Sequence, residues 1–261
     1  MVPYSYKTMD QTSPTSAAPR ALPGAWDLIK DTGDLFKSTW KTTTRTSIFF
    51  LYMGLLYFVG ALFIKWSGAF VLVTLLLSLI IIVLTAWVSL RLMLMILKLN
   101  DGQTPLSPEE EAKKAWSLFW PSLWVGILTT LVVFGASILL IIPGIYFSIA
   151  LSFSIYTLVD QNIRGTQALS ASRALVKGRW WSVLWRQFVG GLIFGLIFTI
   201  IMAILGAIIG MIFALTGAGP KPGDIVFSGA TQFLQMAGFV IFFPITVIFQ
   251  TKIYRALQKT R

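Results

Sequence analysis

The sequence contains no histidine and no cysteine. Those two absences exclude disulfides, imidazole and thiolate metal sites, cysteine nucleophiles and every histidine-based triad. Charge is scarce too. Asp, Glu, Lys and Arg make up 12% of the 261 residues, against ~25% in typical soluble domains. Acidic residues are the rarest of these: 10 Asp+Glu face 21 Lys+Arg, for a net charge of +11. What is abundant is hydrocarbon. The chain is 56% apolar with a mean hydropathy of +0.78. A single soluble globule is excluded, and the composition points to an all-α integral membrane protein.

Crossing ~30 Å of hydrocarbon takes ~20 mostly apolar helical residues. Six such spans are expected, at about 47–63, 68–97, 122–142, 145–159, 188–215 and 227–249. The third and fourth are separated only by Pro143-Gly144, which predicts a tight helical hairpin. A shallow re-entrant hairpin is the alternative, and both leave the flanking loops on one side. The basic residues then orient the chain. Nineteen of the 21 fall in the amino-terminal segment, the 2–3 and 4–5 loops and the tail, or flank them, as Arg91 does; only Lys65 and Lys221 lie opposite. The positive-inside rule places both termini in the cytoplasm, in a bacterial-type inner membrane. Residues 1–22 read as a disordered cytoplasmic tail, and 23–261 as the transmembrane domain.

The stretches before the odd-numbered spans look alike. GAWDLIKDTGDLFKSTW (24–40) puts Ala25, Ile29, Gly33, Phe36 and Trp40 on one helical face. SPEEEAKKAWSLFW (107–120) opens with a capping box, Ser107 and Glu110. GTQALSASRALVKGRWW (165–181) sets Ala168, Leu169, Ser172, Leu175 and Val176 at helical spacing. Trp40, Trp116 and Trp180 align, each shortly after a basic residue and before a hydrophobic hairpin. The pattern predicts three cytoplasmic interfacial amphipathic helices in a threefold parallel repeat. Basic, aromatic-rich helices of this kind favour anionic lipid.

The spans carry no ionisable group near mid-membrane; Arg91 and Asp160 are expected at the cytoplasmic boundary. That argues against a carboxylate-coupled transporter. Ser148, Ser152 and Thr157 are expected roughly on one face, either as interhelical hydrogen bonds or as a weakly polar lane. Gly191-xxx-Gly195 and Gly206-xxx-Gly210 should allow close helix packing, and Pro244 should kink the last span. No phosphate loop, dinucleotide fingerprint or esterase elbow is present, so no cofactor and no catalytic constellation are expected.

Residues 141–181, IIPGIYFSIALSFSIYTLVDQNIRGTQALSASRALVKGRWW, carry a resemblance. The matches are Pro143-Gly144, Val159-Asp160, Ala168-Leu169, Ser172 and Lys177-Gly178-Arg179-Trp180. The stretch resembles the membrane domain of some glycerophosphoryl diester phosphodiesterases, and uncharacterised bacterial membrane proteins of the YciC-like and DUF975-like kind. It departs from their pattern at Ala171 and Ala174. The resemblance implies a fold over about residues 24–255. It implies no activity, because the phosphodiesterase chemistry belongs to a separate soluble domain.

The functional expectation is a non-catalytic membrane protein that engages anionic phospholipid, or a cytoplasmic protein partner, through a basic collar. The candidate residues are Arg91, Asp160, Arg164, Arg173, Lys177, Arg179, Trp180 and Trp181. A channel, permease or export-system subunit is the alternative. An intramembrane enzyme would have to rely on Asp160 as its acid. No metal and no nucleic-acid partner are expected.

Overall fold

A computed structural model describes residues 21–67, 70–215 and 225–260, except for the side chains of 61–67, 70, 71, 73, 74 and 225. Among the described residues all regular structure is α-helix, in the order α1 (Ala25–Ser47), α2 (Phe49–Ser67), α3 (Phe70–Asn100), α4 (Pro108–Leu139), α5 (Ile141–Ala150), α6 (Ser154–Gln161), α7 (Gly165–Val176), α8 (Trp180–Leu215) and α9 (Ile225–Lys259). Five stretches are long and apolar enough to cross a membrane: Leu75–Asn100, Pro108–Leu139, Ile141–Gln161, Trp180–Leu215 and Val226–Lys259. The first expected span falls in α2, part of whose side chains lie outside the described residues, as do the side chain of Lys65, Lys221 and residues 1–20 of the expected tail.

The amino-terminal helix buries a different face from the one its apolar residues mark. Leu28, Thr32, Thr43, Thr46 and Ser47 are buried, whereas Trp40 is exposed. Threonine can line this stripe because its hydroxyl bonds back into its own helix. Thr32 donates to the Leu28 carbonyl at 2.6 Å and Thr43 to the Thr39 carbonyl at 3.1 Å, leaving methyl groups outward, while the Thr46 hydroxyl faces the Met95 sulfur of α3 at 3.8 Å. At the end of the stripe the Ser47 hydroxyl reaches the Val240 carbonyl of α9 at 2.6 Å. That carbonyl needs a donor from elsewhere, because Pro244, four residues on, has no N–H. The α9 helix runs on through Pro244, and a side chain from α1 takes up the hydrogen bond that the proline cannot make.

The capping box forms as expected, with Glu110 N–H donating to Ser107 Oγ and Glu110 accepting from Ser107 N–H at 3.1 Å. It opens one continuous 32-residue helix, so the second expected interfacial helix is the first part of α4 and not a separate element. Nothing in EEEAKKAWSLFW interrupts the ladder, and Pro121 does not end it. The hairpin turn also sits elsewhere. Leu140 is the extended residue (φ −159°, ψ 144°), and Pro143 and Gly144 lie in the first turn of α5. Proline is tolerated there because the first N–H groups of a helix lack intrahelical partners. Gly144 lies against Ser137 too closely for a side chain.

The fourth expected span is broken at residues 151–153, which form turns between α5 and α6. Ser172 of α7 bridges the break. Its hydroxyl donates to the Ala150 carbonyl at 2.8 Å and accepts from Phe153 N–H at 3.2 Å. The same break disperses the expected polar lane. Ser148 and Ser152 hydroxyls bond to carbonyls three residues back, and Thr157 is buried against the Ala168 carbonyl.

The α7 face is as expected, with Ala168, Leu169, Ser172, Leu175 and Val176 all buried. It packs on α4, α5 and α6, so protein covers this face. The expected tail is helical too: Lys252, Arg255 and Lys259 lie on the last turns of α9. Trp40 falls inside α1, Trp116 inside α4, and Trp180 opens α8 after a break, so the three do not hold equivalent places. At the expected glycine pairs of α8 a side chain would meet nothing within 4 Å, so no backbone packs tightly against them; close approach occurs at Gly190, against the Phe249 ring. Burial is densest where residues 88–97 of α3 meet α4, α6 and the end of α9.

Candidate functional site

The stretch from the end of α7 into α8 builds a cationic cavity. Helix α7 ends at Val176. Lys177 N–H donates to the Arg173 carbonyl, and Gly178 takes φ +79°. That left-handed conformation suits glycine and reverses the chain into α8. The turn sets Arg173, Lys177 and Arg179 around a cavity of about 290 Å³ whose remaining wall includes Tyr146, Ala150, Trp180, Trp181 and Ser182. No described carboxylate lines it.

Its walls are held in place. Trp180 Nε1 donates to the Tyr146 carbonyl at 3.1 Å, and the two rings stack at 5.8 Å. Trp181 stands edge-on to Trp180 at 4.7 Å and is exposed. The Arg179 guanidinium donates to the hydroxyl and carbonyl of Thr260 and so ties the cavity to the end of α9. Arg173 and Lys177 are exposed, Arg173 lying 6.0 Å over the Phe147 ring. Two cations are thus open to a ligand, a third is fixed behind them, and the floor is aromatic. The arrangement can hold an anion attached to something apolar. Tyr146 carries no signal in the sequence, and only folding α5 back beside α8 brings it here, whereas Ser182 simply follows Trp181 on the first turn of α8.

The other sequence candidates sit apart from this cavity. Arg164 is exposed and bonds to the neighbouring Asn162 side chain at 3.4 Å. Arg91 is enclosed. It is 6% exposed, lies over the Trp87 ring at 4.8 Å and the Phe49 ring at 5.4 Å, and pairs with Glu111, which is 1% exposed, at 3.7 Å. It presents no face to a headgroup. Asp160 is likewise engaged. Arg255 meets both its oxygens at 2.7 and 2.9 Å, Tyr254 O–H donates to it at 2.9 Å, and Gln258 Nε2 donates at 3.1 Å. The same guanidinium reaches Asp101 at 2.6 and 3.0 Å. One arginine therefore clasps the α3–α4 loop, the end of α6 and α9 together. The carboxylate that an enzyme reading would need as its acid is an acceptor in this clasp.

Among the described residues no group of three or more acidic, His or Cys side chains could hold a metal ion. The helices define a multi-pass membrane protein. No family model, no curated protein and no solved structure matches the chain.

Proposed function

We propose that the protein is a non-catalytic, multi-pass protein of the cytoplasmic membrane, with both termini on the cytoplasmic side. It holds the phosphate headgroup of an anionic phospholipid in the α5–α7–α8 cavity. The observation that carries this reading is the set of Arg173, Lys177 and Arg179 around a space lined by Tyr146, Trp180 and Trp181, with no carboxylate among the described residues that line it. Basic residues beside an anionic leaflet contribute about 1 kcal/mol each. The resemblance of residues 141–181 to the phosphodiesterase-type membrane domain belongs to this proposal and supports its arrangement only.

The test is a titration of the purified protein with phosphatidylglycerol and phosphatidylcholine, followed by native mass spectrometry. The wild type should retain phosphatidylglycerol selectively. Arg173→Gln/Lys177→Gln, which leaves the Arg179–Thr260 tie intact, should weaken retention by about 30-fold, from two residues at about 1 kcal/mol each. Equal retention in the double variant would defeat the proposal. Competition by inorganic phosphate alone would point to a free anion as the ligand.

In this reading α2, α3, α8 and α9 cross the membrane and the α4–α5 hairpin is re-entrant. Tyr146 touches Trp180, whose neighbour Arg179 bonds to Thr260 at the end of α9. The hairpin turn at Leu140 is six residues from Tyr146, at most about 9 Å of helix. These contacts support a turn that stays on the side of the membrane where α9 finishes. With no native cysteine, Leu140→Cys reports its own location. An impermeant maleimide added from the outer face should leave it unlabelled; labelling from that face would mean six full crossings.

A second reading, a permease or export subunit, has one observation in its favour. Gln187 Nε2 donates to Ser152 at 3.0 Å and to Gln250 at 3.2 Å, a polar contact among α8, α9 and the α5–α6 break. Solute flux in proteoliposomes that is lost with Gln187→Leu would favour it.

A further inference from the structure

A second cavity, of about 560 Å³, lies between α3 and α4, with Ile155 of α6 closing one side. Its size falls within the ~300–1,000 Å³ of ordinary ligand sites. It is built where α4 crosses α3 obliquely. Residues 86–93 of α3 face α4 at Glu111 and Ala112, and again through the turns from Phe119 to Leu131. Helices that diverge from a crossing leave a wedge, and small residues on α4 deepen it. A side chain at Gly126 would meet nothing within 4 Å.

The lining decides the chemistry of the occupant. Ala86, Leu90, Met93, Phe119, Ile127 and Leu131 provide hydrocarbon, and among the described residues no charged side chain lines the space. Of its three hydroxyls, Ser89 is engaged with the Thr85 carbonyl at 2.6 Å and Ser122 with the Phe119 carbonyl at 2.8 Å, which leaves that of Thr130. A ligand therefore finds mainly dispersion contacts here, one neutral hydroxyl, and no described charge to pair with. The mouth of the cavity is continuous with the lipid-facing side of α4, where Leu123, Ile127 and Leu131 are exposed. In the re-entrant arrangement proposed above this apolar surface still lies within the bilayer, where lipid covers it.

We infer that this cavity seats one hydrocarbon chain of a membrane phospholipid, with the headgroup left outside. A free fatty acid is disfavoured as the occupant, because its carboxylate would meet none of the cations it needs. The inference is independent of the headgroup site, which is lined by none of the same residues.

The probe is phosphatidylcholine carrying a parinaroyl chain, whose fluorescence rises when the chain is held rigidly. It is titrated into the detergent-solubilised full-length protein. Wild type should give a saturable signal at one probe per chain. Gly126→Leu fills the wedge and should weaken the signal at least tenfold, as should Thr130→Phe, one turn further along the same face. Gly135→Leu is the control: it lies on the same helix, also has open space above its Cα, and does not line the cavity. It should bind as wild type. Size-exclusion profiles matching wild type establish that each variant is folded. The proposal is overturned if the signal does not saturate, or if both filling variants bind as tightly as the control. Tighter binding of free parinaric acid than of the phospholipid probe would overturn the choice of source. Zwitterionic phosphatidylcholine separates this site from the headgroup cavity. Failure here would leave the phosphatidylglycerol selectivity untouched, and failure there would leave this signal in place.

Discussion

Replacing Glu111 by alanine is expected to lower the stability of the fold by about 3–5 kcal/mol, the usual cost of leaving one member of a buried ion pair uncompensated. The environment explains why the effect is large. Glu111 and Arg91 are almost fully enclosed, and their charges meet at 3.7 Å without a good hydrogen bond. Both carboxylate oxygens and Arg91 Nε have no hydrogen-bond partner among the described residues. Arg91 does hold the Pro108 carbonyl at 3.4 Å and lies over two aromatic rings, but neither neutralises it. Removing the carboxylate would strand a guanidinium between Phe49 and Trp87. In a chain of this size the apparent melting midpoint should fall by roughly 6–20 °C, at ~2–4 °C per kcal/mol. The ten tryptophans supply the signal. The double variant Arg91→Met/Glu111→Met should melt within about 3 °C of wild type or above it, because an apolar pair removes both desolvation costs. A single variant that melts like wild type would show that the pair is solvated and that α3 and α4 cross loosely.

This pair marks the limit of what a sequence reveals. Periodicity identifies the helices and the buried face of α7, because that face is built from residues whose hydrophobicity announces it. The buried stripe of α1 escapes the same reading because four of its five residues carry hydroxyls, whose burial depends on hydrogen bonds back into the helix or across to α3 and α9. The hairpin is legible, but Pro143-Gly144 misplaces its turn. Proline and glycine mark a turn ambiguously, since proline is equally at home at the start of a helix. For the site, Lys177-Gly178-Arg179-Trp180 is legible as a basic, aromatic junction. What is not legible is which cations remain free. In the sequence Arg91 and Asp160 look like interfacial charges of the same kind as Arg173 and Lys177. Their partners, Glu111 and Arg255, lie 20 and 95 residues away in the chain, and only the packing of α4 and α9 brings them into contact.

Arg255 is the residue on which the second large effect should fall. It makes contacts of 2.6–3.0 Å with two carboxylates from separate elements, Asp101 in the loop after α3 and Asp160 near the end of α6, and a further one with Gln258 at 2.7 Å. Only a planar fork with several N–H groups can satisfy all of these together. Arg255→Ala would remove the fork and leave Asp101 and Asp160 facing each other across the vacated space. Hydrogen bonds to charged groups are worth about 1.5–3 kcal/mol each, but this clasp is partly open to water, with the side chains of Arg255, Asp160 and Asp101 15%, 17% and 30% exposed. A net loss of about 2–4 kcal/mol is expected. Arg255→Lys should recover less than half of it, since one ammonium cannot span both carboxylates. Adding Asp101→Asn to Arg255→Ala should recover part of the loss by removing the repulsion. Hydrogen exchange locates the effect: protection should drop at residues 97–104, 154–161 and 250–260 before it drops in α8. The loss should also reach the cavity of Arg173, Lys177 and Arg179, because Arg179 is tied to Thr260 five residues beyond Arg255 on the same stretch of chain. Arg255→Ala should therefore weaken phosphatidylglycerol retention although Arg255 does not line that cavity, whereas Glu111→Gln should not. If the variant frays only residues 250–260 and binds lipid as wild type does, the clasp and the cavity are mechanically separate. The cations at the turn between α7 and α8 would then hold their geometry without support from α9.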